Sequence, residues 1–205
     1  MPTGKGQVKF VIVAIDYFTK WVEAKPLATI TEKKTTDFIK RNIICRFGVP
    51  RTIIIDNGKQ FDNASFKALC KALGITNHYS SSAHPQANGQ AEAANRVIKQ
   101  TLKTKLEKAK GDWPEELPFV LWSYRTTPKI PTGETPFSLA FGTEAVVPAE
   151  IGMPTYRVQH FNPERNDDLQ LQNLDFLEEK RDQTMIRVAA YQGRVARYYN
   201  ARVKN

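Results

Sequence analysis

RTIIIDNGKQF, residues 51–61, decides how the chain is read. Arg51 to Ile55 is a short β-branched run of the kind that forms a buried strand. Asp56 ends it and is followed by Asn57 and Gly58. A carboxylate at the C-terminal end of a strand faces the crevice where open α/β folds bind ligands. Downstream, Asn63 to Leu73 reads as an amphipathic helix closed by Gly74, and Ile75 to Tyr79 as another strand. Ser80 to Gly89 (SSSAHPQANG) is rich in turn formers and reads as a flexible loop. A long helix is expected from about Gln90 to Lys108, with Glu92 in its first turn and 35 residues between it and Asp56. A strand-end acid and a helix-start acid can share a divalent cation; magnesium favours such sites, with hard oxygen ligands, few protein groups and several waters. Each acid alone has a plainer explanation: Asp-Asn-Gly is good turn chemistry, and a carboxylate suits the first turn of a helix.

Upstream, Lys9 to Ile15 and Lys20 to Ala24 form an expected antiparallel hairpin turning at Asp16 to Thr19. Thr31 to Phe47 reads as a helix capped by Thr31, with Ile39, Ile43 and Phe47 on one face and Gly48 and Pro50 as its stop. Residues 112–128 suggest a helix packed through Trp113, Leu117, Val120, Leu121 and Tyr124. Pro128 to Pro136 is a connector, Pro136 to Phe141 a short helix, and 143–165 is poorly patterned. A last helix is expected from about Asp167 to Val203. The end of the chain carries Arg187, Arg194, Arg197, Arg202 and Lys204 with no acid. This order argues for a mixed α/β sheet flanked by helices. Residues 1–150 are expected to be the core domain and 151–205 a linker and basic helical extension.

The 205 residues carry a net charge of +9, which favours polyanion partners through counterion release. No apolar run reaches membrane-spanning length, and the N-terminus lacks the pattern of a signal peptide. A nuclear or cytoplasmic protein, neither secreted nor membrane-bound, is expected. Cys45 and Cys70 read as buried thiols, and with His78, His84 and His160 they show no zinc-ligand spacing.

Five segments share a further feature: IIIDNGKQF (53–61), HPQANGQAE (84–92), AEAANRVIK (91–99), DYFTKWVEA (16–24) and WSYRTTPKIPTGETPFSLAFG (122–142). In their order and spacing along the chain they resemble retroviral and retrotransposon integrases. The last two resemble the gypsy-type branch in particular, and the likeness covers about residues 8–150. The resemblance implies an RNase H-like fold and a D,D-35-E site. Its activity would be DNA integration by metal-dependent polynucleotidyl (DNA strand) transfer, with no covalent protein intermediate. Asp56 then corresponds to the family's second metal-binding Asp and Glu92 to its Glu, with Mg2+ or Mn2+ as cofactor. Asn57 and Gln60 are expected to position substrate or water. Gln86 and Asn88 match positions that touch DNA, Gly89 would be a hinge, and His84 would shape the loop. Arg96 and Lys99 share a helix face with Glu92 and would grip phosphates, while Ala91, Ala94, Ile98 and Leu102 pack inward. DNA and further copies of the chain are the implied partners.

The family pattern has three acids, the first on a strand that precedes the hairpin. MPTGKGQ resembles the loop after that strand, so the first strand and first acid are expected to be missing here. Asp16 lies one strand too late to replace it. The family's N-terminal zinc module and C-terminal β-barrel also have no counterpart in these residues. Little or no strand transfer is expected from this polypeptide alone. The alternative is a non-catalytic nucleic-acid-binding or oligomerisation module derived from a retrotransposon. An RNase H-type hydrolase shares the fold but not the HPQANGQAE and WSYRTTP segments.

Overall fold

Strands β1 (Phe10–Ile15) and β2 (Val22–Leu27) pair antiparallel, Phe10 opposite Leu27 and Ile15 opposite Val22. The second strand starts later than its alternating pattern suggests. Lys20 takes a left-handed backbone, φ 62°, and the Trp21 N–H donates to Thr19 Oγ1 at 3.1 Å, so the turn extends to Trp21. The computed structural model describes residues 3–55, 61–79, 85–106, 112–147 and 152–203.

Thr31 caps α1 (Glu32–Phe38), accepting from the Lys34 N–H at 3.4 Å. The helix continues through a π-helical stretch, Ile39–Ile44, into α2 (Cys45–Phe47), where Gly48 ends it at φ 90°. The wider turn of a π-helix shifts the angular phase of the residues beyond it. Phe38 and Ile39 therefore face the core, but Phe47 is 45% exposed and Cys45 is exposed, against the expectation of an inward Phe47 and two buried thiols. Cys70 is buried as expected.

Strand β3 (Thr52–Ile55) pairs parallel with β4 (Thr76–Tyr79), and α3 (Ala64–Ala72) connects them. Asn63 caps α3 by accepting the Phe66 N–H at 2.8 Å, and Gly74 supplies the positive φ of 66° after it. Among the described residues the four strands form two two-stranded sheets, β1–β2 and β3–β4, with no ladder between them. Both lean on one apolar cluster of Ile12, Leu27, Phe38, Ile39, Ile55, Phe66, Cys70 and Ile75. This is an RNase H-like α/β arrangement in which no strand among the described residues bridges β1 and β3.

Contacts divide the chain into two compact units, Met1–Tyr17 with Val22–Trp122, and Phe18–Trp21 with Ser123–Asn205. The first also holds α4 (Pro85–Leu106) and most of α5 (Trp113–Arg125), which buries Trp113, Leu117, Val120 and Leu121. The second contains α6 (Pro136–Phe141), α7 (Tyr156–Gln159) and the 41-residue α8 (Pro163–Val203). Here the segment 122–142 shows its structural purpose. Thr135 caps α6 by accepting the Ser138 N–H at 2.9 Å. Gly142 closes it at φ 83°, where a Cβ would stand 3.0 Å from the Asn173 carbonyl of α8. Arg181 donates to the Leu139 carbonyl through Nε and Nη2, satisfying the end of α6 from α8. Arg125 stacks over the Trp21 ring at 4.4 Å.

Lys129 holds its ammonium 3.5 Å from the Tyr124 ring centre. Burial pushes its pKa down to about 8, while the ring face favours the charged form. Folding therefore penalises the protonated lysine. That cost is fully present below pH 8 and fades as pH rises toward the ordinary value of 10.5. Lys129→Met is expected to raise Tm by roughly 1–3 °C at pH 7 and to lose that gain near pH 10. Thermal unfolding at both pH values checks this; an equal offset at both contradicts it. Asn63→Ala is expected to cost about 1 kcal/mol in chemical denaturation, as loss of a helix cap does.

Candidate functional site

Strand β3 drives Ile55, 6% exposed, into the core, and Asp56 is the next residue in the chain. Asp56, Asn57, Gln60 and His84 lie outside the described residues. The chain is described again at Phe61, and there it is firmly held. The Phe61 ring meets Phe66 edge to face at 6.0 Å, and Asn63 caps α3. Between them, Asp62 pairs with Lys67 Nζ at 2.6 Å and accepts from the Tyr79 hydroxyl at 2.9 Å. The Lys67 ammonium holds the Asp62 carboxyl below the usual range, and the bond to Asp62 raises the Tyr79 phenol. Sequence spacing carries no hint of this trio, because Tyr79 is 17 residues from Asp62.

The helix carrying Glu92 departs from expectation at its start. It begins at Pro85, not Gln90, and runs to Leu106. Proline suits a first helical position, where its missing N–H is not needed. Gln86, Asn88 and Gly89 thus sit on a helical backbone instead of a loop. Glu92 stands in the third turn, beyond the reach of the helix dipole's positive end. Its face is as expected: Glu92, Arg96 and Lys99 are exposed, while Ala94, Ile98 and Leu102 are buried and Ala91 is half-buried. Lys103, one further turn along, is also exposed and extends the basic stripe.

α4 packs on both β1 and β3. The helix that displays Glu92 therefore lies against the strand that leads into Asp56. Glu92 offers an exposed, hard oxygen donor of the kind Mg2+ or Mn2+ accepts. Among the described residues no group of three or more His, Cys, Asp or Glu side chains is placed to hold a metal ion. The donor chemistry of Glu92 fits such an ion.

Residues 1–85 match the model of the integrase core domain. The Gag-Pol polyprotein of avian reticuloendotheliosis virus is 35% identical over 152 residues, 74% of this chain and 13% of the polyprotein. The Pol polyprotein of radiation murine leukemia virus (strain Kaplan) is 40% identical over 136 residues, 65% of this chain and 23% of that one. The chain therefore spans less than a quarter of the length of these relatives. Among solved structures, the HTLV-2 integrase catalytic core domain in complex with magnesium superposes with a TM-score of 0.54 at 22% identity, covering 63% of this chain and 83% of that one. The catalytic core domain of BIV integrase gives a TM-score of 0.54 at 27% identity, covering 63% and 84%. A chain of the simian T-cell lymphotropic virus intasome gives 0.60 at 20% identity, covering 71% and 52%. Sequence and fold agree in placing this chain with the integrase catalytic cores of retroviral type, the family its motifs resemble.

Proposed function

We propose that the chain supplies the DNA-handling face and two of the metal-binding acids of a gypsy-type retrotransposon integrase core. The packing of α4 across β1 and β3 carries this reading, because it brings the Glu92 helix onto the strand whose last residue, Ile55, precedes Asp56 in the sequence. Asp56 and Glu92 would hold one Mg2+ or Mn2+. A divalent ion there supplies Lewis-acid polarisation and an activated oxygen for phosphoryl transfer. The protein's part is positioning. Arg96 and Lys99, on the exposed face of α4, hold backbone phosphates. Asn57, Gln60, Gln86 and Asn88 orient the DNA end near the acids. The magnesium in the HTLV-2 core and the assembly of the intasome relative support metal use and self-association here.

Residues 1–205 supply two of the three acids that the family pattern calls for. Taken alone, this polypeptide binds the ion weakly and transfers strands little or not at all. Residues 1–150 serve as the core and 151–205 as linker and basic helical extension. The net charge of +9 and the basic α4 stripe need no metal, and they favour a second reading: a non-catalytic nucleic-acid-binding or oligomerisation module. Either form acts in the nucleus or cytoplasm.

Fluorescence anisotropy with a branched DNA across a salt series separates phosphate contact from indifference. Each lost phosphate contact lowers the slope of log affinity against log salt by about 0.9, so Arg96→Ala with Lys99→Ala should lower it by roughly 2. An unchanged slope would remove the α4 face from the DNA interface. Incubation of the 205-residue chain with the same DNA and Mn2+ is expected to give no strand-transfer product. Robust turnover would overturn the claim that two acids are too few.

A further inference from the structure

Helix α8 packs inward along a stripe that includes the buried Leu177 and Thr184 and the half-buried Val188, Tyr191 and Val195. Its members recur every three or four residues, as on any core-facing side of a helix. A second apolar face is left outside. Leu171 is 61% exposed, Leu174 53% and Met185 55%, and Ala189 and Ala196 are exposed as well. At about 100° per residue these side chains fall within roughly 60° of one another, about a quarter turn round from Leu177. They run along roughly 38 Å of helix. A row of large apolar side chains held in water marks a surface that a partner covers.

Charge is segregated along the same helix. Residues 163–182 carry seven acids against three bases, and residues 183–203 carry four arginines and no acid. Asp168, Asp175 and Asp182 follow the border of the apolar face at seven-residue intervals, and Arg197 lies on the same border at the other end. Arg187 is taken up by Glu134 at 3.0 Å, whereas Asp175, Arg194 and Arg197 form no ion pair among the described residues.

We propose that this face of α8 binds the same face of a second copy of the chain, with the two helices antiparallel. A parallel pair would set acid on acid and arginine on arginine. An antiparallel pair sets each acidic half against a basic half, so attraction replaces repulsion along the whole contact. With Met185 on the two-fold axis, Leu174 faces Ala196, and Asp175 falls between Arg194 and Arg197 of the second copy. Two-fold symmetry makes each of these contacts twice. DNA does not suit the face as a whole, because its acidic half repels phosphates. The inference names the surface for the self-association read above and rests on that reading for its purpose alone.

Sedimentation velocity of the full 205-residue chain over a micromolar dilution series tests it. The unaltered chain should show a monomer–dimer equilibrium without DNA. Leu174→Ala with Met185→Ala should weaken the dimer by about tenfold or more, as truncation of apolar anchors does. Both side chains are exposed, so Tm should move by under about 2 °C. Asp175→Lys with Asp182→Lys should weaken pairing, and so should Arg194→Glu with Arg197→Glu. An equimolar mixture of these two charge variants should recover it as mixed dimers. A chain that stays monomeric, or pairs only once DNA is added, overturns the proposal and the metal-free self-association reading together. Pairing that survives the Leu174 and Met185 changes puts the contact elsewhere, which overturns the α8 face and leaves self-association standing. Charge variants that pair as well as the unaltered chain, or that fail to recover on mixing, overturn the antiparallel arrangement.

Discussion

Among the described residues no ladder joins the two strand pairs, and burial of one apolar cluster holds them against each other. Ile12 and Leu27 come from the hairpin, Ile55 and Ile75 from β3 and the start of β4, and Phe38, Ile39, Phe66 and Cys70 from the helices around them. Fully burying an aliphatic or aromatic side chain is worth roughly 1.5–3 kcal/mol. Several such groups together can hold two small sheets against each other without a shared ladder, but such packing is less directional than strand pairing. The relation between β3 and the Glu92 helix therefore depends on packing: Ile55 in the cluster, and Ala94, Ile98 and Leu102 beneath α4.

That dependence gives the polar contacts around the site their weight. Where no ladder fixes the distance between the hairpin and the β3–β4 pair, α4 lies on β1 and β3 together. In the second unit the same division holds: α6 meets α8 through apolar contact, and Arg181 and Gly142 set the fit.

The order of elements is legible in the sequence because local signals coincide with the tertiary answer. Thr31 and Asn63 cap helices, Gly48 and Gly74 take positive φ, and the β-branched runs 10–15 and 52–55 form strands. Helical spacing alone places Arg96 and Lys99 beside Glu92, and the exposed face agrees. The start of α4 is not legible, since Asn88 and Gly89 carry turn signals. A mid-helix glycine costs about 1 kcal/mol against alanine, which burial of Ala94, Ile98 and Leu102 offsets. The π-helical stretch at Ile39–Ile44 leaves no compositional mark, so regular helical spacing puts Phe47 and Cys45 on the wrong face. The Asp62–Tyr79 bond joins residues 17 apart in the chain, and single-sequence periodicity is blind to such a pair.

Two carboxylates meeting around one cation at the end of β3 are the centre on which the proposed chemistry turns. Crystals of the 205-residue chain soaked in Mn2+ and measured at the manganese absorption edge locate that cation directly. An anomalous peak is expected about 2.0–2.3 Å from a carboxylate oxygen of both Asp56 and Glu92, the range of Mg2+-like oxygen coordination. A peak elsewhere, or refined side chains of Asp56 and Glu92 pointing to opposite sides of β3, would contradict it.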